Sequence, residues 1–388
     1  MNFSGPDRGR TWEAKVAAFE TSIRESGAYG AWPGPDVLCH TVRVITENLH
    51  KDIEDIKHEA AFIFSTDVEK PDLTKQNVEL LRRWYSSARP PSMVALCIAA
   101  IEILDLFPPE DFLQSVLMAG VLGEAENDLD YHNNMHYRKV LLQAIRLIVV
   151  HNNIYSGTKR AFDAQQVALL LMASCIHDFG HDGMGNTIKG VFEQGRLERQ
   201  SHEWVMPFLK STGLDESALT TLRTMILCTE VTPLDDPANP MNQMKAAYRY
   251  HFLGDKTRTH TLNLDPSLAV LQQDPALTMM SLILHEADIA TSAGLTYEIT
   301  KYETSIYMRE IKHESARPQH VIDFLNQVCS RRILSDAGQK LYAANMARIF
   351  ALAEEDVKDG DEPFPHSEQS EFLRVQPDAA EKRDGAVN

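Results

Sequence analysis

The chain has 388 residues, with 44% apolar and 24% charged side chains, so it can bury a sizeable core and carries an ordinary charge density. Its formal net charge of −17 argues against a surface for nucleic-acid polymers, although 11 acidic and 4 basic residues from Ala351 onward place −7 of that charge in the tail. No apolar run approaches the length of a membrane span, and five scattered cysteines without a CxxC pattern suggest neither a disulfide framework nor a zinc knuckle.

Residues 1–35 are rich in glycine and proline and read as a lightly structured arm with one short helix at Trp12–Ile23. The charged residues Asp7, Arg8, Arg10 and Glu13 leave no apolar core for a signal peptide, and a reducing cytoplasm is the expected compartment. Residues 36–353 read as a helical domain. Apolar positions recur at three and four residues through Val37, Val44, Ile45 and Leu49, and again from Met93 to Leu104 after Pro90-Pro91. Asp163 is a candidate N-cap for Ala164–Ile176, which is apolar nearly all round and so predicted to be buried. Leu277–Ile289 has the same character, and Gln339–Ala353 is amphipathic. Pro233–Pro240 reads as a loop, and Tyr248–Leu264 is the one stretch that admits a hairpin. Residues 354–388 are polar and acidic and are expected to be disordered.

Chemistry concentrates in three clusters. His132 and His136 lie four residues apart in Tyr131-His132-Asn133-Asn134-Met135-His136, so a helix would bring both imidazoles to one face. His177 and Asp178 follow directly on the apolar Ala164–Ile176 segment, where an unpaired imidazole or carboxylate would be costly to bury. A metal ion would satisfy both, and a plain His–Asp hydrogen bond is the alternative. Asp288, in His285-Glu286-Ala287-Asp288, is predicted to close the second apolar helix in the same manner. His and Asp side chains together suit borderline and hard divalent cations.

These clusters carry a resemblance. Tyr131–His136 matches the YHNxxH motif of the class I 3′,5′-cyclic-nucleotide phosphodiesterases, of the HD-type metallohydrolases. His177-Asp178-Phe179-Gly180-His181-Asp182-Gly183-Met184-Gly185-Asn186 matches HDxxHxGxxN, and His285–Asp288 matches HxAD, in the same order over about residues 40–350. The resemblance implies an all-α fold with a deep two-metal pocket. His136, His177, Asp178 and Asp288 would hold Zn2+, and Asp178 would also reach a second ion, Mg2+ or Mn2+. His181 and Glu198 would stand near that second ion, with Gln200 competing for the place of Glu198. His132 would be the general acid, oriented by Glu310, for which a solvated surface role is the alternative. Tyr131, Asn186, Thr229, Gln319 and Phe324 are the candidate substrate contacts.

The implied activity is hydrolysis of a cyclic nucleotide, cAMP ahead of cGMP, to the 5′-monophosphate by a hydroxide shared between two ions. No nucleic-acid polymer or membrane partner is expected, and a homodimer is allowed. The sequence also departs from the family pattern. Lys139 replaces an aspartate three residues after His136, Gly180 replaces the aspartate before His181, and Thr291 replaces an asparagine. The glutamine that reads the purine has no clean counterpart, since neither Gln319 nor Gln327 has the right spacing to Phe324. That leaves open an HD-type hydrolase of another phosphodiester or nucleotide, or a cyclic-nucleotide-binding pseudoenzyme.

Overall fold

The computed structural model describes residues 11–25, 33–68, 72–232, 236–255, 266–313, 315–365, 367 and 370–373. Helix accounts for 69% and strand for 1%, so the chain is all-α. The first helices are α1 (Trp12–Ala17), α2 (Phe19–Glu25), α3 (Pro35–His58), α4 (Ala60–Ile63) and α5 (Asp72–Ser86). Next come α6 (Met93–Leu104), α7 (Glu110–Gly123), α8 (Asn134–Ile154) and α9 (Ala164–Ile176). After a small hairpin follow α10 (Arg196–Ser211), α11 (Glu216–Leu227), α12 (Pro240–Phe252) and α13 (Pro275–Ala293). The last are α14 (Tyr297–Glu310), α15 (Pro318–Gln327), α16 (Asp336–Gly338) and, beyond a π-helical turn, α17 (Ala344–Lys358).

Three helices, α8, α9 and α13, pack against one another at the centre. Their sequences explain the position. Helix α9 is buried from Val167 to Ile176 and has no polar face to give to water. It starts at a capping box in which Asp163 accepts from the Gln166 N–H and the Gln166 side chain accepts from the Asp163 N–H. Helix α8 is buried from His136 to His151 even though it carries Arg138, Lys139 and Arg146. Each of these cations finds an internal acceptor: Glu124 for Arg138, Glu303 for Lys139 and the Phe62 carbonyl for Arg146. Amphipathic helices such as α5 and α10 lie outside, burying one stripe each.

The structure corrects several local expectations. Trp12–Ile23 is two helices, and Val16, Phe19 and Ile23 are buried against the domain, so this part of the arm is packed. The expected hairpin at Tyr248–Leu264 is not formed where the chain is described: Tyr248–Phe252 complete α12, and residues 256–265 lie outside the described set. The helix wins because Tyr248 buries its ring and donates to the Leu334 carbonyl at 3.1 Å. A hairpin forms instead at Thr187–Ile188 and Val191–Phe192. Its turn, Lys189-Gly190, has φ of 50° and 79°, the two left-handed residues that a tight hairpin requires.

The tail expectation changes too. Helix α17 runs to Lys358, and the chain then doubles back. Phe364 N–H donates to the Ala316 carbonyl at 2.8 Å, and Phe372 is fully buried beside Tyr85 and Tyr302. Two aromatic rings in an otherwise acidic stretch supply the apolar burial that its overall composition hides; residues 374–388 lie outside the described set. All five cysteines are buried thiols, and Cys97 Sγ lies 3.9 Å from Cys175 Sγ. No helix among the described residues is long and apolar enough to cross a membrane.

Candidate metal centre

Four side chains from the three central helices converge. Asn133 caps α8 by accepting from the Met135 and His136 N–H groups, which starts the helix so that His136 faces inward. His177 forms the C-terminal cap of α9, and Asp178 follows it. Asp288 sits on α13, but within that helix and not at its end as expected. The cause lies at the termini: Asp274 caps the start by accepting from the Ala276 and Leu277 N–H groups, Pro275 takes the first turn, and the helix runs on to Gly294.

Nε2 of His136 lies 3.2 Å from Asp178 Oδ2, 3.2 Å from Asp288 Oδ1 and 3.3 Å from His177 Nε2. His177 Nε2 is 3.2 Å from Asp178 Oδ2 and 3.7 Å from Asp288 Oδ1. A tetrahedral zinc with ligands at about 2.0–2.1 Å separates those ligands by about 3.3 Å, so the donor spacing of His136, His177 and Asp288 suits one ion, with Asp178 beside both histidines. His177 Nδ1 faces the Ser174 carbonyl at 3.3 Å, which assigns its proton to that nitrogen and leaves Nε2 as a lone-pair donor. Burial disfavours the His177 imidazolium, but Asp178 and Asp288 outweigh it and raise its pKa to about 10. The cluster therefore draws positive charge, which a divalent cation would supply.

A second arrangement adjoins the first. His132 Nδ1 bonds Glu310 Oε1 at 2.5 Å, while Glu310 Oε2 accepts the backbone N–H groups of Tyr131 and His132 at 2.7 and 2.9 Å. Glu310 is buried rather than a solvated surface carboxylate. Burial alone would raise its pKa, but these bonds hold it down at about 2. His181 stacks on His132 with ring centroids 3.8 Å apart. Its Nδ1 accepts from Gly183 N–H, so Nε2 carries the proton and acts as a donor. His132, His181 and Glu310 could be read as a metal triad, since one ligand atom of each falls within 4.8 Å of the others. Both Glu310 oxygens are engaged by its three hydrogen bonds, however, which suits the positioning of His132 better than a ligand set.

Asn186 organises the opposite wall. Its amide nitrogen donates to Glu198 at 3.1 Å and to Glu230 at 2.8 Å, and its oxygen accepts from Leu197 N–H. Burial raises the pKa of Glu198 to about 8, helped by the charge of Glu230, and burial raises that of Glu230 to about 7. Glu230 was not singled out from the sequence, because one carboxylate after Thr229 carries no periodic signal. Gln200 is directed elsewhere, donating to the Gly180 carbonyl.

Asp178, Asp288, His132, His181, Glu310, Asn186, Glu198 and Glu230 line one cavity of about 290 Å³, at the small end of ligand pockets. Tyr131, Asn186, Thr229 and Phe324 all border it, and Thr229 donates its hydroxyl to the Ile226 carbonyl. Gln319 does not border it. Its amide donates to Asp323 and its backbone N–H to Asp361, so the expectation of a substrate contact there is withdrawn. His320, Tyr307 and Val328 complete the wall near Phe324 and were not anticipated.

The loop that carries His181 explains one departure noted in the sequence. Gly180 has φ of +74°, and a Cβ there would lie 2.5 Å from the Trp204 ring. An aspartate has no room. Gly180→Ala is expected to cost at least about 1–2 kcal/mol from the left-handed backbone alone, read as a lower urea midpoint, with Trp204 displaced in its fluorescence. Unchanged stability and emission would contradict this account. No family model and no curated protein matches the chain.

Proposed function

We propose that the chain is a metal-dependent phosphodiesterase that opens a 3′,5′-cyclic nucleotide to the 5′-monophosphate, cAMP ahead of cGMP. The observation that carries this reading is the convergence of His136, His177, Asp178 and Asp288 beside a half-buried, carboxylate-held His132. Zn2+ fits the four-ligand cluster, and Mg2+ or Mn2+ is the second ion proposed near Asp178, His181 and Glu198. Divalent ions held there would supply charge to neutralise the phosphoryl oxygens and acidify a water.

The residues themselves do the rest. His132 donates its Nδ1–H to Glu310, so its Nε2 is the nitrogen available to the cavity. Burial lowers its pKa, while the bond to Glu310 raises it and so favours an imidazolium that can serve as acid for a departing alkoxide. His181 Nε2–H and Glu198 would orient water or phosphate oxygens by hydrogen bonding, while Asn186, with both amide hydrogens on Glu198 and Glu230, holds the wall behind them. Tyr307, Phe324 and Val328 offer an apolar wall suited to a flat base. The orientation of Gln319 away from the cavity favours a second reading, an HD-type hydrolase of another phosphodiester.

One assay panel separates these. Purified protein loaded with Zn2+ and Mn2+ should release the 5′-monophosphate from cAMP and, more slowly, from cGMP. Turnover of a nitrophenyl phosphodiester with none of either cyclic nucleotide would support the second reading, and binding of cAMP without any turnover would leave a pseudoenzyme.

A further inference from the structure

Beneath the cavity lies an ion pair that the mechanism above does not use. Lys139 is one helical turn beyond His136 on α8, and it pairs with Glu303 of α14; both side chains are 1% exposed. The other Glu303 oxygen accepts the Tyr85 hydroxyl at 2.8 Å. The ammonium lies 5.3 Å from the Tyr131 ring centroid and 5.6 Å from that of Tyr85, so it is held between two aromatic faces. Glu303 nevertheless borders the cavity together with His132, Asp178 and Asp288.

Each charge alone would harm the site. A lone carboxylate in the floor would oppose a phosphate. A lone ammonium would oppose a divalent cation and compete for Asp288, whose charge already acts on Lys139. A buried pair is seldom more stabilising than apolar residues of the same volume, so stability by itself gives little reason for it.

We propose that Lys139 and Glu303 form a charge-matched floor, each cancelling the effect its partner alone would have on bound metal and bound phosphate. The proposal rests on the metal-and-phosphate reading of the cavity. It predicts opposite signs for the two single variants, which a merely structural role does not.

The test measures Mn2+ affinity of metal-stripped protein, and inorganic phosphate affinity of the Mn2+-loaded protein, by titration calorimetry at neutral pH. Lys139→Met should weaken phosphate roughly tenfold and leave Mn2+ unchanged or tighter. Glu303→Gln should weaken Mn2+ by a similar factor and leave phosphate unchanged or tighter. The double variant should return both towards wild type. If Lys139→Met fails to fold, Lys139→Arg and Lys139→Gln replace it: the first should keep phosphate affinity and the second lose it. Wild-type protein that takes up neither ion defeats the reading of the cavity. Wild-type uptake with both affinities shifted the same way in each variant, or with no shift, or with equal loss in the Arg and Gln variants, overturns the charge-matched floor alone.

Discussion

Asp178→Ala is expected to abolish turnover and to strip both metals while leaving the fold in place. Asp178 Oδ2 stands 3.2 Å from both His136 and His177, so its loss opens the tight cluster and removes the carboxylate proposed to reach the second ion. Its structural bond is a different one: the Tyr137 hydroxyl donates to the Asp178 backbone carbonyl at 2.7 Å, and alanine keeps that acceptor. Circular dichroism should therefore stay near wild type, and the thermal midpoint near that of metal-free wild type, while zinc and manganese contents fall on elemental analysis. Asp288→Ala should deplete mainly the zinc-like site, because Asp288 faces the two histidines. Full metal content with retained activity in Asp178→Ala would sink the two-metal reading.

His132→Ala should behave in the opposite way, keeping its metals and losing rate. His132 makes no contact with the Nε2 cluster comparable to those among its members, and its ring is committed to Glu310 and to stacking on His181. Loss of a general acid lowers kcat by roughly 10²–10⁴-fold. The loss should shrink for a nitrophenyl diester, whose leaving group hardly needs a proton. A companion variant tests the pH dependence. Glu310→Gln removes a charge that raises the pKa of His132 and leaves at most a neutral hydrogen bond in place of a charge-assisted one, so His132 should lose its proton at lower pH. The acid must be protonated to act, so the alkaline limb of the kcat profile should move to lower pH, and rate at alkaline pH should fall most. Metal loss in His132→Ala, or equal losses for both substrates, would show that His132 holds structure or metal instead.

Much of this was legible in the chain itself. Ala164–Ile176 has apolar residues on every side, so its burial and its boundaries follow from composition and from the Asp163 cap. The spacing of His132 and His136 and the juxtaposition of His177 with Asp178 mark chemistry because such groups are expensive to bury unpaired. The role of Glu310 was available only as one choice among carboxylates on a charged helix. Three hydrogen bonds to residues nearly 180 positions away decide it. Gln319 shows the converse: its residue type suited a base reader, yet Asp323 and Asp361 hold it away from the cavity. Asp288 reaches its partners from mid-helix, Gly180 is required by Trp204, and Lys139 is buried only because Glu303 meets it from another helix. Local pattern determined which segments are helical and which residues could bind metal, since both depend on neighbours a few positions away. Which polar side chains face one another across helices was decided by tertiary packing alone, because those partners lie far apart in the chain.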